Sequence, residues 1–312
     1  MNILITGGAG YIGSSLSKYL LDKNFKVTIL DNFTFSYNSL LTYMNHKNFN
    51  VLKIDVRNHS EVNNIAKKFD LIIPLAALVG APLCKLKEKE AIDVNLDSLK
   101  NLVDNMSKNQ ILIYPTTNSG YGVGEKDKFC TEETPLNPIS LYGQTKTQAE
   151  NYIADNHSNS VRFRLATVFG CSPRMRLDLL VNDFVLKAVK DGYVVLFEAN
   201  FKRNYIHIKD VCAAIMFSIE NFQKVKSETF NLGLSSANLS KLELCNKIKE
   251  YIPNFEISTS EIGTDIDKRD YIVSNNKIEK VGFKASVSLD EGIQELKKFY
   301  NYLIPDVSMR NI

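Results

Sequence analysis

The chain has 312 residues, with 38 lysines and arginines against 35 aspartates and glutamates, so its net charge is only +3. So small an excess, spread along the chain, excludes a polyanion binder, and 44% apolar with 23% charged residues excludes disorder as the main state. The five cysteines form no Cys-x-x-Cys pair and the four histidines are scattered, so neither a disulfide framework nor a metal site is expected.

In chain order, apolar β-rich runs at Ile3–Thr6, Lys26–Leu30, Asn50–Ile54, Leu71–Leu75, Ile111–Tyr114 and Val161–Leu165 alternate with helical patterns. Helices are predicted over Tyr11–Asp22, Ala91–Met106 and from about Ser140 through Ala154. This spacing is that of βαβ units and predicts an α/β fold, a doubly wound parallel sheet with helices on both faces. Residues 120–140 are aperiodic and rich in Gly and Pro, which predicts a long loop. After Gly170 the pattern loosens into helices at Leu179–Lys190, Lys209–Asn221, Lys241–Tyr251 and Leu289–Tyr302, separated by polar segments. A boundary near 168 follows: residues 1–168 form one domain, which takes in later segments near 205–233, and 169–312 form a smaller mixed α/β domain. No run approaches the ~18 apolar residues of a membrane span, and the first residues enter a strand at once. A cytoplasmic protein without leader or membrane attachment is the expectation.

Between the first strand and first helix lies Thr6-Gly7-Gly8-Ala9-Gly10-Tyr11-Ile12-Gly13. Glycines at 7, 10 and 13 let the backbone turn sharply and approach a pyrophosphate resting on the helix N-terminus. No Gly-Lys-Ser/Thr follows, so this is not a P-loop. Asp31 ends the second strand 18 residues after Gly13, where an acid hydrogen-bonds an adenosine ribose and repels a 2′-phosphate. NAD is therefore expected rather than NADP. Asn32 follows Asp31, and Asp55-Val56 after the third strand are candidate adenine contacts. Gly7, Asp31, Ala76 and Thr117 all sit at carboxyl ends of predicted strands, the edge at which open α/β sheets bind ligands.

Tyr142 and Lys146 stand four residues apart, on one face of a helix. A lysine ammonium and a cationic nicotinamide nearby favour a phenolate, which turns a poor base into a usable one. With TGGAGYIG, Tyr142-x-x-x-Lys146 and Thr117, the chain resembles the extended short-chain dehydrogenase/reductase family of nucleotide-sugar enzymes. The likeness runs on through Arg203-Asn-Tyr-Ile-His207 and Asn231-Leu-Gly233. It implies a Rossmann-type fold and a bound NAD, tightly held in some members. It also implies that Thr117 bonds the substrate oxygen, Tyr142 exchanges its proton, and Lys146 holds the nicotinamide ribose. Leu75, Ala76, Ala77 and Asn95 would line the cofactor, and Arg203 and Arg269 would clamp a substrate diphosphate.

The 4,6-dehydratases of this family carry an acid just after the catalytic threonine; here Asn118 and Ser119 stand there, and neither is an acid or base at ordinary pKa. Dehydration is disfavoured, while 4-epimerisation and net oxidation or reduction at C4 stay open, as does a non-catalytic NAD sensor on the same fold. Local phrases, among them Leu78–Cys84, Thr117–Gly122, Arg174–Asp183, Gly233–Asn238 and Lys268–Ser274, resemble the GDP-manno-heptose 4-dehydrogenases of bacterial capsule biosynthesis. That resemblance implies a GDP-sugar substrate. Val79, Gly80, Asn118, Ser119, Arg174, Arg176, Asn182 and Arg203 are the residues expected at the sugar or nucleotide, with Asn182 alternatively an exposed helix residue. Cys84 and Cys171 are expected to be small buried hydrophobes, and His207 to pack or bond structurally. Members of the family usually dimerise through two helices, so a homodimer or higher homo-oligomer is expected, with no nucleic acid or membrane partner.

Overall fold

A computed structural model defines the fold and describes residues 1–35, 38–261, 269–302, 306 and 309–311. Lys268, in one of the phrases above, lies outside the described residues. The first half runs β1 (Asn2–Thr6), α1 (Tyr11–Asp22), β2 (Lys26–Asp31), β3 (Phe49–Lys53), α2 (His59–Ala66), β4 (Leu71–Pro74), α3 (Ala81–Leu86), α4 (Glu88–Ile92), α5 (Ser98–Asn105), β5 (Ile111–Thr117), β6 (Phe129–Cys130), α6 (Leu141–Asn156) and β7 (Ser160–Leu165). The second half adds β8 (Thr167–Phe169), α7 (Leu180–Lys190), β9 (Tyr193–Phe197), β10 (Lys202–His207), α8 (Ile208–Glu220), α9 (Phe222–Val225), β11 (Thr229–Leu232), β12 (Asn238–Ser240), α10 (Lys241–Tyr251), β13 (Glu256–Ser260), β14 (Ile272–Val273), α11 (Asn276–Lys280) and α12 (Leu289–Tyr300).

Seven parallel strands form the main sheet in the order β11-β7-β5-β4-β1-β2-β3. Residues alternate strictly between its faces, as a period of two requires. Ile3, Ile5, Val27, Ile29, Leu71, Ile73 and Ile113 pack into the core on one face, with residues of α1, α7, α8 and α12. Leu4, Leu30, Ile72, Leu112 and Tyr114 pack on the other, under α2, α5 and α6. Burial on both faces is why these strands read as continuous apolar runs. Sequence order reverses between β1 and β4, and the crevice outside their carboxyl ends is where such sheets place ligands.

Residues beyond β7 divide between this sheet and three small ones. β11 pairs with β7 in the main sheet, whereas β10 lies between β8 and β12 in a three-stranded sheet. β9 pairs with β13, and β6 with β14. The single helix predicted over Ala91–Met106 is broken. A π-helical turn at Asp93–Asp97 separates α4 from α5 and carries Asn95 toward the β4 loop. The stretch 120–140, expected as a loop throughout, contains β6, whose two residues are too few for any periodicity to register.

Candidate active site

One cavity of ≈ 720 Å³ opens at the β1–β4 switch and is lined by residues from Gly7 to Asn311. At its floor Gly7 has φ +67°, a region costly for residues with a Cβ. An added Cβ would stand 2.5 Å from the Ala76 nitrogen, so the turn and the β4 loop close on each other only through glycine. Gly13 plays the same part for the helix: a Cβ there would meet Gly8 Cα at 2.5 Å, lifting α1 off the turn. The result is an open helix N-terminus facing the cavity, a cradle for a diphosphate.

Asp31 sits at the same edge. Its Oδ2 accepts from Ala9 N at 3.0 Å and its Oδ1 from Phe33 N at 2.8 Å, which locks the β2 loop to the glycine turn. Burial pushes its carboxyl above the ordinary value despite those bonds. Asn32 donates to Asp55 Oδ2 at 2.9 Å, and Arg57 grips the same carboxylate at 2.9 and 2.8 Å, holding Asp55 well below the usual carboxylate range. Gly10, Tyr11, Ile12, Val56, Leu75, Ala76 and Ala77 complete this half of the lining. The tyrosine hydroxyl is turned away, donating to Gly170 O at 2.7 Å. Glycine cradle, helix terminus and ribose acid therefore fit a dinucleotide.

Tyr142 and Lys146 project from the first turns of α6, which begins where Ser140 Oγ accepts from Gly143 N at 3.2 Å. Tyr142 faces Thr117 at the end of β5, whose hydroxyl acts to lower its pKa, while burial pushes the phenol up to about 12. Thr117 Oγ1 also lies 2.9 Å from Ser119 Oγ, to which the Arg269 guanidinium donates. A line of groups thus runs Arg269–Ser119–Thr117–Tyr142. Lys146 is buried with its ammonium 3.9 Å above the Tyr114 ring, and desolvation pushes it down to about 7. Arg269 and Arg176 are cations whose fields act to lower the Tyr142 pKa. Glu150, one turn on from Lys146, is committed to a buried ion pair with Arg164 at 2.8 Å.

Val79, Gly80, Ser119, Arg174, Arg176, Arg203 and Arg269 all line the cavity, and Arg176 forms a two-point pair with Asp178 at 2.8 and 2.5 Å. Three expected site residues do not line it. Asn182 is wholly buried, its amide accepting from Gly170 N at 3.0 Å and donating to Arg176 O at 2.9 Å, so it is neither exposed nor a sugar contact but a tie for the segment 170–176. Asn118 is turned into the protein, 1% exposed. Asn95 is buried and bonds both Leu78 N (2.8 Å) and Leu78 O (2.9 Å), so it shapes the β4 loop from behind rather than lining the main cavity. Phe35 and Asn311 line the cavity without having been expected there. An aromatic residue in the polar stretch Asp31-Asn-Phe-Thr-Phe35 was the available signal for the first; the second has none in its neighbours. His207 donates to Glu295 at 2.7 Å and is structural, and burial raises the thiols of Cys84 to about 11 and Cys171 to about 12. Among the described residues no group of side chains is placed to hold a metal, and no helix is long and apolar enough to cross a membrane.

Parallel sheet, glycine cradle, ribose acid and a Tyr-x-x-x-Lys pair facing one cavity define a dinucleotide-dependent α/β enzyme. The chain belongs to the NAD dependent epimerase/dehydratase family, whose model matches residues 3–233. It is 27% identical to the low-salt glycan biosynthesis protein Agl12 of Haloferax volcanii over 96% of this chain and 98% of that one. It is 26% identical to CDP-paratose 2-epimerase of Salmonella typhi, over 95% and 98%. Among solved structures it is similar to UDP-glucuronic acid 4-epimerase of Bacillus cereus, in complex with UDP-glucuronic acid and NAD. That match has a TM-score of 0.83 and 22% identity, covering 96% of this chain and 99% of that one. NAD is the cofactor the family description and the cradle agree on.

Proposed function

We propose that this protein oxidises C4 of a GDP-linked heptose, GDP-D-glycero-α-D-manno-heptose, to the 4-keto sugar. Residues 1–168, with later segments, would serve the cofactor and 169–312 the nucleotide sugar. When bound, NAD supplies the hydride acceptor. Tyr142 takes the proton from the sugar hydroxyl, and Thr117, which faces Tyr142 from the end of β5, orients the same oxygen. Arg269 and Arg176 favour the phenolate, and Lys146 is placed one turn away on the same helix face to hold the nicotinamide ribose. Arg203 and Arg269 suit a diphosphate because a guanidinium meets it with two donors. The protein would act in the cytoplasm as a homodimer or higher homo-oligomer.

The observation that carries this reading is the end of β5. The line Arg269–Ser119–Thr117–Tyr142 is made of a cation and hydroxyls, and the two positions after Thr117 hold no carboxylate. Such a site exchanges a proton at a hydroxyl but lacks the acid needed to expel water from a neighbouring carbon. A 4-epimerase or 4-ketoreductase is the second reading, favoured by relatives bearing the former name, such as UDP-glucose 4-epimerase of Lactobacillus helveticus. Mass spectrometry of the GDP-heptose after incubation with protein and NAD, followed by NMR of the recovered sugar, separates the dehydrogenase from the epimerase. A product two hydrogens lighter supports the dehydrogenase, a change of configuration at constant mass supports the epimerase, and loss of water overturns both. Tyr142→Phe is expected to reduce turnover by about 10²–10⁴-fold while NAD stays bound; full activity in that variant would remove Tyr142 from the mechanism.

A further inference from the structure

Arg174 was expected at the sugar or nucleotide, and its surroundings lie at the glycine-turn end of the cavity. The segment that carries it is stitched to the first turns of α1. Ser172 Oγ lies 3.2 Å from Ser14 Oγ, accepts from Ser15 Oγ at 3.1 Å and donates to Tyr11 O at 2.7 Å, and Arg174 N reaches Ser14 Oγ at 3.4 Å. From there the guanidinium extends over the ring of Phe35, 5.0 Å from its centroid. Phe35 follows Asp31 by four residues, and both line the same cavity as Gly10 and Ile12. The guanidinium is held from behind by a later stretch of chain: Arg174 Nη2 donates to Arg310 O at 3.3 Å, Leu177 N to Met309 O at 2.9 Å, and Arg310 faces Asp183 at 3.8 Å. Asn311 beside it lines the cavity, its buried Oδ1 without a hydrogen-bond partner among the described residues.

We propose that Arg174, laid on Phe35 and backed by residues 309–311, is a strap over the adenosine-diphosphate half of NAD, with its guanidinium on the diphosphate. The anchor on α1 sets the cation beside the open helix N-terminus, where the cradle is shaped for phosphate, and Phe35 supplies an apolar wall beyond the ribose acid. Charge agrees with this placement. Asp31 feels the field of Arg174, and burial together with Arg176 pushes Arg174 down to about 10, so it still carries its charge at neutral pH and gains from a second anion. Arg203 and Arg269, the latter on Ser119, remain for the substrate.

The inference rests on the use of NAD and not on the sugar proposed above, so the test needs no sugar. NAD, ADP-ribose and GDP are titrated calorimetrically into the full chain and into its Arg174→Ala and Phe35→Ala variants. Loss of a charge-assisted contact predicts that Arg174→Ala weakens NAD and ADP-ribose alike by roughly tenfold or more, with GDP affinity within about twofold. Phe35→Ala, at a partly exposed loop position, weakens the same two ligands several-fold. If Arg174→Ala does not fold, Phe35→Ala and Arg174→Lys carry the test. Unchanged affinity for ADP-ribose in the folded variants overturns the strap, and so does a loss confined to GDP, which would return Arg174 to the substrate.

Discussion

Tyr142 is a phenol that burial holds near 12, while the chemistry proposed for it needs the phenolate. The groups that face it are Cys84 from α3, Thr117 from β5, Tyr114 beneath, Lys146 on its own helix, and the guanidiniums of Arg176 and Arg269. Of these the two arginines and Thr117 act to lower its pKa, and Arg269 also reaches it through Ser119 and Thr117. Removing that cation therefore raises the pKa of the base. In Arg269→Met the acidic limb of the pH–rate profile is expected to move to higher pH, measured at saturating nucleotide sugar so that weaker binding is separated from weaker ionisation. Ser119→Ala interrupts the line while keeping the cation and should move the limb the same way by less. A limb that stays in place in both variants would mean that a group other than Tyr142 sets the profile.

At the scale of elements, α12 is fastened to the end of β10 by one carboxylate. Glu295 accepts from His207 Nε2 and from Lys209 Nζ, both at 2.7 Å, while His207 Nδ1 caps α8 by accepting from Lys209 N at 3.2 Å. Burial works to raise the Glu295 pKa, but these bonds outweigh it and hold the group at about 2, against 4.5 unfolded. A depressed carboxylate stabilises the fold above its unfolded pKa, and that contribution is lost as pH falls from about 4.5 toward 2. Glu295→Gln is expected to cost about 1–2 kcal/mol at pH 7 and to flatten the acid side of the stability curve over that window, measured by denaturant unfolding. An unaltered curve would mean that the bonds to Glu295 add nothing to what holds α12. The same elements show what the sequence made legible. Strands buried on both faces announce themselves as apolar runs, and the glycine turn, Asp31, Thr117, Tyr142 and Lys146 follow because each sits at a strand end or on a helix face whose period is readable. The π turn at Asn95 was not legible, because it keeps the helical pattern while shifting one residue's direction. Short strands such as β8, β12 and β14 span two or three residues and are made by pairing partners distant in sequence. Asn182 was misplaced for a related reason: the sequence put it near the site, and only its burial against the segment 170–176 decided which way it turned.

Over the whole molecule, the residues after 168 do not melt away from those before it in any obvious place. One apolar cluster runs from Ile3 on β1 through Phe169 and Val185 to Tyr300 on α12, and the cavity wall likewise joins the glycine turn to Asn311. A core shared in this way predicts one cooperative unfolding transition even without cofactor. NAD, bound only by the folded chain, then stabilises all of it: at a concentration of about 100 times Kd, linkage gives about 2.7 kcal/mol. An unfolding entropy of roughly 2.1 cal/mol/K per residue converts this, over the chain's length, into a rise in Tm of about 4 °C. Scanning calorimetry should show a single peak that moves by about that amount with NAD. It should move less with NADP, because Asp31 meets the 2′-phosphate with a charge of the same sign. Two peaks, of which NAD moves only one, would mean that the region following 168 holds its own core, and the strap of Arg174 and Phe35 would then have to bind across a joint rather than within a single body.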